Sequence, residues 1–145
     1  PDYVLLFRRP VDPGEEDMAV KVKQYPIAND QRPDGFSLDQ WQEWASPVWM
    51  TVDQENTLNR QKAREEADEK HICPLQLDTI ERLIRMYTNP GEIVLSPFAG
   101  IGSEGHVALT WKRRFVGVEL KASYFATAKA SLLVASDTRQ VGLFG

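Results

Sequence analysis

The residues in this chain that point most clearly to chemistry form a glycine cluster after an apolar run. Gly100, Gly102 and Gly105 fit the pattern G-x-G-x-x-G, and the cluster opens directly into a helical pattern. A second apolar run ends in Glu119, about twenty residues after the first glycine, as a ribose-binding fingerprint requires. Glycines let the backbone turn tightly and approach a ligand, and a carboxylate accepts hydrogen bonds from two ribose hydroxyls. The spacing therefore predicts a nucleotide-type cofactor site.

The elements that must position this site follow a simple order, which is helix, strand, glycine turn, helix, strand, helix. The first helix starts at Cys73-Pro74 and stops at Asn89-Pro-Gly91. Strands are expected at 92–98 and 114–120, and Ser123 is expected to cap the last helix. This order specifies a right-handed βαβ unit of a parallel sheet, and two strands alone cannot bury both faces of a sheet.

The first half of the chain has a different character. Residues 2–7 are an apolar run that predicts a buried strand, and a capping box at Ser37 predicts a short helix. Trp41, Trp44 and Trp49 could stack on bases, but aromatic residues near helical spacing favour a core role.

Composition narrows the function classes. The 145 residues carry 17 basic and 21 acidic side chains, so the net charge of −4 argues against a stand-alone nucleic-acid binder. Any phosphate contact must be local, and Lys21, Lys23 and Arg32 are the candidates. The single cysteine fits a reducing compartment, and no run approaches the roughly 20 apolar residues of a membrane span. We expect a soluble cytoplasmic protein without a membrane association or a metal site. Lys112-Arg-Arg114 is expected to be a charged loop.

The chain resembles the DNA amino-methyltransferases that modify adenine N6 or cytosine N4, particularly the phage and prophage type. The resemblance rests on His71-Ile-Cys-Pro-Leu-Gln-Leu77, Leu95-Ser-Pro-Phe-Ala-Gly-Ile-Gly-Ser103, Phe115-Val-Gly-Val-Glu-Leu-Lys121 and Tyr124-Phe125. It implies an α/β, Rossmann-like methyltransferase fold, incomplete in this chain, with an irregular recognition segment. It also implies methyl transfer from S-adenosyl-L-methionine to an exocyclic amino group in double-stranded DNA, as in restriction-modification systems.

The resemblance assigns roles by position. The cofactor contacts would come from His71, Cys73, Pro74, Phe98, Ala99, Gly100, Gly102, Ser103 and Glu119. The implied organisation is a core strand at 1–9, a target-recognition segment at 10–60, a charged linker or helix at 61–70, the cofactor-binding half at 71–136 and a tail at 137–145.

Two departures from the family pattern matter. Many members have Asp at the position of Ser96 and Lys at the position of Cys73. The catalytic tetrapeptide D/N/S-P-P-Y/F/W, whose aromatic ring stacks on the flipped base, is absent from this sequence. We therefore expect a C-terminal half that contains no catalytic residue and is inactive alone, completed by an N-terminal catalytic half in cis or as a second chain. Two alternatives stay open, an NAD- or FAD-binding Rossmann half and a non-catalytic DNA-binding or assembly module.

Overall fold

A computed structural model describes residues 3–7, 37–58 and 74–141 of the chain, with side chains described up to residue 137. Within these ranges the chain forms four helices and two strands. In chain order they are α1 (Leu38–Trp44), α2 (Leu77–Tyr87), β1 (Ile93–Ser96), α3 (Ser103–Thr110), β2 (Arg114–Gly117) and α4 (Ala122–Val141).

The two strands are parallel neighbours, and helix α3 connects them. Ile93 pairs with Arg114, and Ser96 pairs with Gly117. The pairing continues beyond the strands, because the Val118 amide donates to the Ser96 carbonyl at 2.9 Å and the Ala99 amide donates to the Val118 carbonyl at 2.9 Å. The predicted parallel βαβ unit is confirmed, and its register brings the segments after both strands to one edge.

The core lies where the helices meet one side of the strand pair. Ile80 and Ile84 of α2 pack against Val107 and Ala108 of α3, and the half-buried residues around them are Leu77, Val94, Trp111 and Phe115. Helix α3 therefore contacts both strands and lies between α2 and α4.

The third glycine of the cluster serves this packing. A Cβ atom on Gly105 would lie 2.5 Å from a methyl group of Leu132 and 2.6 Å from the Phe115 ring. Helix α3 can approach β2 and α4 this closely only because the residue has no side chain.

Helix α1 begins as the sequence predicts. The Ser37 hydroxyl accepts from the Gln40 amide at 3.1 Å, and the Ser37 amide donates to the Gln40 side-chain oxygen at 3.2 Å. This reciprocal pair is a capping box, and the short helix ends after Trp44.

The start of α2 differs from the prediction, which placed Pro74 at the first helical position. The helix begins at Leu77, because Gln76 is extended and the Leu77 amide donates to the Asn56 carbonyl at 2.8 Å. A neighbouring segment thus satisfies an amide at the helix start. Pro74 lies half-buried ahead of the helix.

Helix α4 also differs at both ends. It begins at Ala122, and the Phe125 amide donates to the Lys121 carbonyl at 2.9 Å, so Ser123 lies inside the helix and is not its cap. The Ser123 hydroxyl oxygen is buried and has no hydrogen-bond partner in the described part of the chain. The helix reaches Val141, beyond the expected start of the tail at 137, because the first glycine or proline after Gly117 is Gly142.

The opening segment differs from the predicted buried strand. Tyr3 to Phe7 are exposed and have no strand assignment. A strand needs a neighbouring strand for its amides and carbonyls, and in the described part of the chain the sheet consists of β1 and β2 alone.

One face of the strand pair is open, as expected for two strands. Ile93, Leu95, Val116 and Val118, which directly follows β2, alternate along the pair and are about half exposed or more, with Leu95 at 64%. The opposite face, with Val94 and Phe115, is covered by α3.

The predicted charged loop at residues 112–114 is only partly correct. Arg113 is fully buried, and its guanidinium donates to the Thr88 hydroxyl at 3.0 Å and to the Trp111 carbonyl at 2.7 Å. Arg113 therefore ties the start of β2 to the end of α2.

None of the helices in the described ranges is long and apolar enough to cross a membrane.

Candidate cofactor site

The turn between β1 and α3 forms the floor of the candidate site. Gly100 and Gly102 have φ angles of +51° and +89°, in the left-handed region that glycine tolerates best. A Cβ atom on Gly102 would lie 3.1 Å from Ala128, so this glycine is needed for packing against α4. A Cβ atom on Gly100 would meet nothing within 4 Å, so the backbone at Gly100 faces open space that a ligand can enter.

The Glu119 carboxylate lies against this turn. One oxygen accepts from the Gly100 amide at 2.9 Å, and the other accepts from the Lys121 amide at 2.8 Å. The parallel register explains the meeting, since the residues after β1 and after β2 share one edge of the sheet. The two predicted parts of the fingerprint are thus in direct contact.

Two large apolar side chains flank these groups in the sequence and are almost fully exposed. Phe98, before the glycines, is 86% exposed, and Leu120, after the acid, is 97% exposed. Phe98 was predicted as a site residue and Leu120 was not. The signal for Leu120 was its position, an apolar residue directly after the acid that ends a strand.

The neighbouring predicted residues are turned away from the open space. Ala99 is buried, and its amide donates to the Val118 carbonyl. Ser103 is the first residue of α3 and is 5% exposed, so its hydroxyl is withdrawn from solvent. Of the remaining predicted site residues, the structure describes Pro74 alone. The others lie outside the described residues: His71, Cys73, Lys21, Lys23 and Arg32.

An apolar cavity of about 350 Å³ adjoins Glu119. Phe115, Phe125 and Leu132 line it, together with other side chains of α3 and α4. An apolar group bound beside Glu119 therefore has space to enter.

The first turn of α3 carries one perturbed acid. Partial burial raises the pKa of Glu104 above its ordinary value, and its backbone hydrogen bond opposes this only in part. The part of the chain that the structure describes contains no group of three His, Cys, Asp or Glu residues that could hold a metal ion.

The tryptophans of residues 37–58 pack against arginines of α2, which the sequence did not predict. The Arg82 guanidinium carbon lies 5.7 Å from the Trp44 ring and 5.3 Å from the Trp49 ring. The Arg85 guanidinium carbon lies 5.2 Å from Trp44 and 3.8 Å from Trp111. These stacked guanidinium groups and rings attach residues 37–58 to α2 and to Trp111. Trp44 is buried and Trp49 is half-buried, in line with the predicted core role, whereas the prediction is wrong for Trp41, which is 45% exposed.

Solved structures with a related fold were found. TTHA0409 of Thermus thermophilus, solved with S-adenosyl-L-methionine, aligns with a TM-score of 0.53 at 23% identity, over 91% of this chain and 40% of its own. A selenomethionine crystal of the same protein gives 0.56 at 22% identity, over 94% and 49%. This likeness confirms the predicted Rossmann-like α/β fold.

Curated relatives match shorter stretches at higher identity. DNA adenine methyltransferase YhdJ of Escherichia coli K12 is 42% identical over 57 residues, which are 39% of this chain and 19% of the relative. The type II methyltransferase M1.MboII of Moraxella bovis is 43% identical over 54 residues, which are 37% and 21%. The matched stretches thus span about a fifth of the length of these relatives.

A family model described as DNA methylase matches residues 2–130, which are nearly the whole chain. The match includes the glycine turn, Glu119 and the segment attached through the tryptophans. The chain belongs to the DNA methylase family of N6 and N4 methyltransferases.

Proposed function

We propose that this chain is the cofactor-binding half of a DNA methyltransferase that uses S-adenosyl-L-methionine. The methyl group would be transferred to N6 of adenine or N4 of cytosine in double-stranded DNA. The observation that carries the proposal is the contact of the Glu119 carboxylate with the Gly100 amide, beside open space. A ribose acceptor and a glycine turn are thereby joined in one site.

The residues present fit this cofactor. The carboxylate of Glu119 provides acceptors for ribose hydroxyls, and the space at Gly100 admits the methionine arm along the backbone. The exposed ring of Phe98 provides an apolar wall. When bound, the cofactor supplies an activated methyl group on a sulfonium, while the chain binds it, orients it and excludes water from one side.

The other assigned contacts are part of the same proposal. Ala99, Gly102 and Ser103 shape the turn, and Pro74 lies ahead of α2, where the family resemblance places contacts to the methionine end. His71 and Cys73 would complete this set.

A further polypeptide would supply the catalytic face. The proposal is supported by the open apolar face at Leu95 and Val116, and by the absence of the catalytic tetrapeptide from the sequence. Such a half would cover the sheet, hold the target amino group and leave this chain inactive alone. Methyl transfer to DNA by the 145-residue chain with no added polypeptide would contradict this part of the proposal.

DNA contacts are proposed for the recognition segment, with Lys21, Lys23 and Arg32 at phosphates. A gel-shift assay with the triple alanine variant tests this. We expect weaker binding that depends less steeply on salt, and an unchanged salt dependence would count against the assignment.

Calorimetry with S-adenosylhomocysteine, and with NAD as the control ligand, tests the cofactor assignment. We expect binding of the first ligand alone, and about tenfold or weaker affinity in Glu119→Ala, because hydrogen bonds to a charged acceptor are lost. Glu92→Ala is the matched control. Its carboxylate holds Asn89 at the opposite end of β1, so the affinity should not change. Preference for NAD would favour the dinucleotide alternative.

A further inference from the structure

The Glu119 carboxylate is already engaged by the chain itself. Each oxygen accepts one backbone amide, from Gly100 at 2.9 Å and from Lys121 at 2.8 Å. The side chain is half-buried, so these bonds are partly protected from water. The carboxylate therefore bridges the glycine turn and the start of α4.

The bridge meets the backbone at Gly100, a residue in the left-handed region. Gly100 has a φ of +51°, and no neighbouring heavy atom lies within 4 Å of the place where its Cβ would be. No side chain therefore packs against Gly100 at that position, whereas a Cβ atom on Gly102 would lie 3.1 Å from Ala128, so α4 packs directly against that glycine. The hydrogen bond to Glu119 is the contact that fixes the Gly100 amide in this turn.

The bridge leaves room for a ligand. An ionised carboxylate has about four acceptor positions, and the two amides occupy two of them. A ribose donates two hydrogen bonds from its vicinal hydroxyls. The carboxylate can thus accept both amides and both hydroxyls at once.

We propose that Glu119 is a positioning residue as well as a ribose ligand, in that it holds the glycine turn in its binding conformation before the cofactor arrives and keeps that contact in the complex. The proposal rests on the proposed function only for the identity of the ligand. A turn that is fixed in advance need not be ordered on binding, which strengthens affinity for the whole cofactor, including parts that Glu119 does not touch.

Amide hydrogen exchange of the chain without added ligand, measured residue by residue by NMR, tests the positioning role. In Glu119→Ala the Gly100 and Lys121 amides should exchange about tenfold faster or more, while amides of the α2–α3 core keep their protection. Glu119→Gln offers one acceptor oxygen, so one of the two amides should remain protected. Equal Gly100 exchange in the wild type and in Glu119→Ala would overturn the proposal.

Glu92→Ala provides the matched control, because Glu92 also accepts a backbone amide, that of Asn89, at 2.8 Å. It should speed exchange of Asn89 and leave Gly100 unchanged. If Gly100 exchange rises as much in Glu92→Ala, the loss of protection in Glu119→Ala is general loosening and the proposal is wrong.

A second measurement separates this role from ribose binding. The 2′,3′-dideoxy analogue of S-adenosylhomocysteine lacks the hydroxyls, so a pure ribose ligand would give equal affinities for the wild type and Glu119→Ala. We expect the variant to bind the analogue at least about fivefold more weakly. Equal affinities would overturn the proposal, with the ribose assignment intact. If Glu119 protects the Gly100 amide from exchange but the chain binds neither S-adenosylhomocysteine nor its dideoxy analogue, the proposed function is refuted. The positioning role is then still supported.

Discussion

Alanine substitutions at Gly100 and Gly105 separate ligand approach from helix packing. In Gly100→Ala the new methyl group meets no atom within 4 Å, but the residue must keep a φ of +51°. That conformation costs about 1–2 kcal/mol for a residue with a side chain. The methyl group would occupy the open space in which the cofactor is expected, so affinity for S-adenosylhomocysteine should fall about tenfold or more.

Gly105→Ala should do the reverse. The methyl group would lie 2.5 Å from Leu132 and 2.6 Å from Phe115, so both side chains must shift. Leu132 borders the cavity and can move, whereas Phe115 packs against the core. We expect a net destabilisation of about 1–2 kcal/mol, after the gain in helix propensity is subtracted from the packing cost.

Urea unfolding gives the stability of each variant, and calorimetry at a temperature where the variants stay folded gives the affinity. The account predicts lower affinity with modest destabilisation for Gly100→Ala, and nearly wild-type affinity with clear destabilisation for Gly105→Ala. Wild-type affinity in a folded Gly100→Ala variant would refute the placement of the cofactor over this turn.

Three further outcomes are expected. Burial raises the pKa of Glu104 above 4.5, so the folded chain binds this proton more tightly than the unfolded chain and loses stability as the pH rises through the raised pKa. Glu104→Gln should therefore have a higher free energy of unfolding than the wild type at pH 7. In urea titrations this difference should disappear below about pH 4.5. Arg85→Met should lower the free energy of unfolding by about 1–2 kcal/mol and change tryptophan fluorescence, because the Arg85 guanidinium lies 3.8 Å from the Trp111 ring. The same substitution at the exposed Arg114 should cost under about 0.5 kcal/mol. Leu95→Asp should leave the free energy of unfolding of this chain nearly unchanged but prevent its association with a completing catalytic half. Normal association in pull-down assays would contradict the proposal that the catalytic half covers the open face of the strand pair.

Local sequence signals predicted the elements that position the site. The glycines after one apolar run, and the acid after the next, required a parallel crossover that brings both to one edge, and Glu119 meets Gly100 as a result. The capping box at Ser37 was equally readable, because all of its partners lie within four residues.

The features that were not predicted depend on partners distant in sequence. Arg113 appears in a run of charged residues, but the Thr88 backbone and hydroxyl, 25 residues away, accept its hydrogen bonds and bury it. Arg82 and Arg85 are buried by tryptophans from another segment. Helix α2 begins at Leu77 and not at Pro74, because the Leu77 amide donates to the carbonyl of Asn56. No local pattern contains these partners.

The most direct test of the central claim is titration of the folded 145-residue chain with S-adenosylhomocysteine, beside Glu119→Ala and with NAD as the control. The account predicts binding of S-adenosylhomocysteine alone, weakened about tenfold or more in the variant. A folded chain that does not bind it, or binds it equally well without the Glu119 carboxylate, would contradict the claim that the contact between Glu119 and the glycine turn forms the cofactor site.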